Sequence, residues 1–180
     1  EHITGEPFEP YVQRTLLAPL GITSASYVWQ DRFDQTAAAG HDAKGAVPSK
    51  RELYRHANTA FSLYCTPMEY ALFLMEMLRL DRPAPQSLSA QSIEAMLTRT
   101  SKAEGRTAVV RRGGPRPEPK YYGLGWAIDT TASGDRINHS GSNGTGFRCY
   151  CEFDRKRGSG IVIMTNAAGG AELWKELIAA

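Results

Sequence analysis

The stretch RINHSGSNGTGFRCYCEFDRKRGSGIVIMTN, residues 136–166, decides the fold. Over 147–153 its apolar residues recur at every second position, the period of a strand and not of a helix. Arg136 to His139 reads as a strand that runs into a glycine-rich turn. Phe147 to Phe153 reads as the next strand, with Phe147, Cys149, Cys151 and Phe153 on one side. Asp154 to Ser159 is a basic turn containing Gly158. Ile161-Val162-Ile163-Met164 is apolar on both faces, which predicts a central strand.

Outward from this core the pattern continues on both sides. Upstream, Tyr122, Leu124, Trp126 and Ile128 are expected on one face of a strand, and Tyr121, Gly123, Gly125 and Ala127 on the other. The small face lets another element approach closely. Ala132-Ser133-Gly134-Asp135 is a hairpin turn. Downstream, Ala171 to Ala179 is a closing helix, with Leu173, Trp174, Leu177 and Ile178 predicted to pack on the sheet.

The first two-thirds of the chain reads as helix and loop. Glu1 to Gly5 resembles the last turn of a helix stopped by a left-handed glycine, which raises the expectation of a fragment. Pro7 to Ala18 is a helix with Phe8, Val12 and Leu16 as its apolar stripe, ended by Pro19 and Gly21. Residues 22–60 carry no sustained period. Thr66-Pro67-Met68-Glu69 is a capping box with proline at the first helical position. The helix it opens is expected to reach about Leu80. Met68, Ala71, Leu72, Met75 and Leu78 line one face and Tyr70, Phe73, Leu74 and Met77 another, so it is expected to be mostly buried. Arg82-Pro83-Ala84-Pro85 breaks it, and Ser89 caps a shorter helix that turns Ile93, Met96 and Leu97 inward. Helices first, then an antiparallel meander, then one helix: the fold class is α+β, an antiparallel sheet covered by helices.

Composition excludes little else. The 180 residues are 42% hydrophobic and 22% charged, ordinary for one soluble domain or a large piece of one. A net charge of +2 gives no whole-chain signal for nucleic acid or membrane, and no apolar run is long enough for a membrane span. Residues 101–120 hold six basic residues against two acidic ones, yet no aromatic residue interleaves to stack on bases, so they read as a solvated loop. The three cysteines cannot all pair internally, and Cys149 and Cys151 share a strand face where disulfide geometry is rarely met. All three are expected as reduced core residues. The four histidines have no metal-ligand spacing, so no metal and no cofactor is expected.

The chemistry-bearing candidate is His139-Ser140-Gly141-Ser142-Asn143-Gly144-Thr145-Gly146-Phe147. Ser, Asn and Gly are also the usual residues of a tight hairpin, and spacing alone leaves that reading open. No helix follows the glycines, which fails the context a phosphate loop requires, and Gly-x-Ser-x-Gly is absent. A buried Cys65 beside a helix start reads as inert.

Six segments in order resemble the serine β-lactamase, penicillin-binding protein (DD-peptidase) and esterase family. Gly5-Glu6-Pro7-Phe8 with Leu17-Ala18-Pro19-Leu20-Gly21-Ile22 is similar to that family's GKPF…IFEPLGM helix, and Ala39-Gly40-His41-Asp42 to its A-x-G-Y stretch. Asn58 to Thr66 is similar to its AAGGLYST, Tyr122-Gly123-Leu124-Gly125-Trp126 to its YGLGW, and Gly160 to Asn166 to its GVVVLTN. His139-Ser140-Gly141 resembles its third motif, which occurs as Lys-Thr-Gly, His-Thr-Gly or His-Ser-Gly.

The resemblance implies an acyl-serine hydrolase of an ester, amide or β-lactam. His139 and Ser142 are its catalytic candidates, Ser142 through an oxyanion-hole N–H. Ser140, Gly141 and Asn143 are its substrate-binding candidates. It also implies a periplasmic or secreted setting, with a cytoplasmic one left open. His139 in the lysine position leans the substrate toward esters or peptides.

Two family features are missing. No serine has lysine three residues on, and neither Tyr-x-Asn nor Ser-x-Asn occurs. In the family both lie ahead of the segment this chain resembles. The expectation is therefore residues 1–180 as the C-terminal part of one β-lactamase-like domain, helical and looped over 1–120 and stranded with a closing helix over 121–180. Its sheet is expected to be incomplete, the Ile161–Met164 edge being closed by an N-terminal segment of the same protein or by association, and the chain to be inactive alone. A non-catalytic binding module on the same fold is the alternative; a nucleic-acid or acidic partner at 106–120 is a third reading.

Overall fold

The alternating half of the sequence folds into a six-stranded antiparallel meander. The computed structural model describes residues 1–49, 51–78, 87–102 and 120–179. The strands are β1 (Ser101–Lys102), β2 (Lys120–Tyr122), β3 (Ala127–Thr131), β4 (Gly134–Ser142), β5 (Arg148–Asp154) and β6 (Ser159–Thr165), each paired with the next in the order β1-β2-β3-β4-β5-β6. The helices are α1 (Phe8–Val12), which continues as a π-helical turn over Gln13–Leu17, then α2 (Phe33–Thr36), α3 (Pro67–Leu78), α4 (Ala90–Leu97) and α5 (Gly170–Ala179). The expected ends of α3 near Leu80, the Arg82–Pro85 breaker and most of the basic segment, 103–119, lie outside the described residues.

Local chemistry sets the helix starts. The Glu69 amide donates to Thr66 Oγ1 and the Thr66 amide to Glu69 Oε2, both at 3.2 Å, so the capping box closes reciprocally at α3. Ser89 Oγ accepts from the Ser92 amide at 3.0 Å and starts α4. Gly21 takes φ +74° just after the first helix, where a β-carbon would be strained.

Two layers sandwich the sheet. On one face Leu74 and Met77 of α3 and Ile93 of α4 pack against Trp126, Ile128, Ile137, Cys151 and Phe153. On the other, Trp174 of α5 stacks on Tyr150 with ring centroids 4.5 Å apart, and Ile178 seals beside it. A smaller cluster of Val12, Leu17, Ile22 and Ala25 joins the first helix to α3.

Several expectations are corrected. Tyr121 to Ile128 is not one strand: β2 and β3 form a hairpin, with Tyr121 opposite Ile128 and Tyr122 opposite Ala127. The Gly123 amide donates to the Trp126 carbonyl at 2.8 Å, and Gly125 turns at φ +77°. The small residue at Gly123 is nevertheless used as expected, since a β-carbon there would collide with the Met96 carbonyl. Among the described residues β6 is an edge strand and not a central one. In α5 Trp174 and Ile178 are buried, whereas Leu173 and Leu177 are exposed, because a helix of this length turns one stripe to the sheet. For the same reason α3 buries Leu74 and Met77 and leaves Met68 and Met75 outside. Of the cysteines, all free, Cys151 is buried, Cys65 half-buried and Cys149 exposed, although the Cys149 sulfur itself turns in against Gly141.

Candidate active site

β4 outruns its neighbour. Its pairing with β3 ends at Asn138 opposite Ala127, whereas its pairing with β5 continues through Ser140 opposite Tyr150, Gly141 opposite Cys149 and Ser142 opposite Arg148. Ser140 to Ser142 therefore have a strand on one side only among the described residues.

The hydrogen-bond parity of the hairpin gives the direction of their main-chain groups. The Asn143 amide donates to the Phe147 carbonyl at 3.4 Å, so that pair is of the hydrogen-bonded kind. Opposite pairs alternate, so the main-chain groups of Ser142 and Ser140 turn away from β5, toward the side where β3 has ended. The side chains alternate too. His139 and Gly141 lie on the face of Cys151 and Cys149, toward α3, and Ser140 and Ser142 on the face of Tyr150 and Arg148. His139, Ser140 and Ser142 are exposed, while Gly141 and Asn143 are half-buried. The structure thus gathers all five candidates on one strand end, with two outward amides at its rim.

The turn that follows is buttressed. Gly146 is buried, and a β-carbon on it would strike the His41 main chain; one on Gly40 would strike the Thr145 carbonyl. His41 is tied in turn to the end of β6: its amide donates to the Asn166 carbonyl at 2.8 Å, and the Ala168 amide to the His41 carbonyl at 3.0 Å. Asn166 Nδ2 donates to the Ala39 carbonyl at 2.9 Å. This explains physically why glycines stand at 40 and 146.

The sequence of residues 1–180 matches the family model described as Beta-lactamase over its whole length. The chain belongs to the β-lactamase family. Solved structures carry the same fold. The octameric penicillin-binding protein homologue from Pyrococcus abyssi superposes with a TM-score of 0.70 at 21% identity, covering 93% of this chain and 35% of that one. D-alanine carboxypeptidase AmpC from Burkholderia cenocepacia gives 0.71 at 16% identity, covering 96% and 54%. The penicillin-binding protein from Bacillus halodurans gives 0.69 at 17% identity, covering 97% and 50%. The chain spans about a third to a half of the length of these proteins. No curated protein matches it.

Within this β-lactamase-family chain the face below His139 is apolar and thiol-rich. Burial pushes the Cys65 and Cys151 thiols up to about 12, and the Tyr70 hydroxyl, held to Cys151, rises mainly by burial as well. None of these is a ready nucleophile at neutral pH. A cavity of about 100 Å³ opens between the first helix and α3, lined by Leu17, Tyr27, Leu63, Cys65 and Tyr70 among others. Cys65 and Tyr70 thus belong to both the thiol-rich face and the cavity wall. Sequence reasoning missed Arg148 and Cys149, which flank Ser142 and Gly141; the register of a hairpin centred on Thr145 is the signal that would have paired them.

Proposed function

We propose that this chain is the C-terminal part of a serine hydrolase acting through an acyl-serine intermediate, and that a further segment carrying a Ser-x-x-Lys pair completes the site. The observation that carries this is the overhang of β4, with the Ser140 and Ser142 amides turned to an edge that no described strand covers and His139 exposed beside them.

In this reading the serine hydroxyl of the completing segment attacks the substrate carbonyl, with the lysine taking its proton. The Ser142 N–H donates to the oxygen on which charge builds, a contribution of about 3–4 kcal/mol for one such donor. His139 faces the substrate or the nucleophile's hydrogen-bond network. Ser140, Gly141 and Asn143 form the rim against which the substrate lies. Alone, the 180 residues lack the attacking oxygen, so they are inactive.

The edge of β6 is the place for the completing segment. An apolar edge strand with unpaired main-chain groups recruits another strand. The test is labelling with a fluorophosphonate probe of the protein that includes the Ser-x-x-Lys segment, beside these 180 residues alone. Labelling of the first and not the second is expected. No labelling of either would remove the hydrolase reading and leave a binding module on the same fold.

A further inference from the structure

Arg148 stands where its charge has no carboxylate partner among the described residues. It is half-buried, directly opposite Ser142 in the β4–β5 ladder. Its Nη1 donates to both the Asn143 and the Phe147 carbonyls, each at 2.8 Å. The main-chain bonds of the same turn are long: Asn143 amide to Phe147 carbonyl at 3.4 Å, and Gly146 amide to Asn143 carbonyl at 3.5 Å. Such bonds near the distance limit hold a turn weakly, whereas charge-assisted bonds at 2.8 Å hold it firmly. One guanidinium nitrogen therefore ties together the two carbonyls at the mouth of the hairpin, immediately after Ser142.

We infer that Arg148 is a positioning residue: its guanidinium clamps the 143–147 turn and so fixes the direction of the Ser142 amide. The inference deepens the hydrolase reading and rests on it for its catalytic consequence. The clamp and the His41 strap do different work. The strap presses on Thr145 and Gly146 at the far side of the turn, and Arg148 closes the side next to the strand. Without the guanidinium the Asn143 and Phe147 carbonyls keep only the long main-chain bonds, and the strand end gains freedom at the position where a donor must be aimed.

The experiment compares wild type, Arg148→Met and Arg148→Lys in the protein that carries the Ser-x-x-Lys segment, by two readouts. Hydrogen–deuterium exchange is measured for the peptide covering 141–147, with 149–154 as the internal reference. Turnover of an aryl ester such as p-nitrophenyl acetate is measured alongside. Arg148→Met should speed exchange over 141–147 by about tenfold or more with the reference unchanged. It should lower kcat by about tenfold, with KM within about twofold, as expected where only transition-state aim is lost. Arg148→Lys, which keeps a donor and a charge, should recover much of both. Unchanged exchange over 141–147 in Arg148→Met overturns the clamp. Faster exchange with unchanged kcat overturns the positioning role. A wild-type protein that turns over no ester defeats the hydrolase reading, and with it the positioning role, while the exchange readout still decides the clamp.

Discussion

The Cys149 sulfur lies against the bare α-carbon of Gly141, its cross-strand partner: a β-carbon built on Gly141 would stand 2.5 Å from Cys149 Sγ. The glycine is thus fitted to a neighbouring side chain and not demanded by its own backbone angles. A hydrogen bond from the Gly141 amide partly offsets the burial that raises the Cys149 thiol.

Gly141→Ala should therefore drive the Cys149 sulfur into another rotamer and destabilise the fold by about 1 kcal/mol, the low end of overpacking. Cys149→Ala, in the same background, should restore most of that loss. A double-mutant cycle by urea unfolding should return a coupling of about 0.5–3 kcal/mol between the two. Simple additivity would mean the sulfur is not what excludes the methyl group.

Much of this arrangement was legible in the sequence. Period-two alternation placed Cys149, Cys151 and Phe153 on one face of β5, and Thr66 with Glu69 announced the start of α3 three residues apart. Alternation failed where it should: Tyr122, Leu124, Trp126 and Ile128 keep the pattern across a hairpin, and only the positive φ of Gly125 breaks the strand. The α5 stripe was over-read because Leu173 and Leu177 have the composition of buried residues and not the angular position. Arg148 was invisible for a different reason. A guanidinium that reaches carbonyls of its own turn has no sequence signature, since the acceptors belong to the main chain.

The capping box makes stability at α3 depend on pH with a defined sign. Burial raises the Glu69 carboxyl, but hydrogen bonds from Ser24 and Thr66 outweigh it and hold the group below its ordinary 4.5. A depressed folded pKa means that the unfolded chain binds the proton more readily, so the stabilisation is present above about 4.5 and is lost as pH falls through the folded value. Glu69→Gln should flatten the acid limb of a plot of Tm against pH, most visibly just below pH 4.5. An unaltered limb would show that other carboxylates govern it. Thr66→Ala should cost about 1 kcal/mol at neutral pH.

The three thiols should separate by accessibility. Cys149 is exposed, whereas Cys151 is buried and Cys65 half-buried, both with thiols raised to about 12. Iodoacetamide at pH 7.5 should modify Cys149 first, and slowly, because its thiol is also raised. Cys65 and Cys151 should react only as the protein unfolds in denaturant. Peptide mass spectrometry reads the order directly. Early modification of Cys151 would contradict its place in the core beside Leu74 and Phe153.

The outer edge of β6 should decide how the 180-residue chain behaves in solution. Ile161 on that strand is 40% exposed, and both helices that pack on β6 carry bare apolar residues: Met68 at 74% and Met75 at 48% on α3, Leu173 at 51% and Leu177 at 55% on α5. An unpaired strand with apolar flanks recruits a partner strand through main-chain bonds, and a lysine on the edge strand opposes such pairing. Sedimentation velocity at high concentration should show species heavier than the 19.8 kDa chain. Ile161→Lys should shift them toward 19.8 kDa without loss of sheet signal by circular dichroism. A wild-type chain that sediments as a single 19.8 kDa species would show that this edge needs no partner, and the completing segment would then have to dock elsewhere.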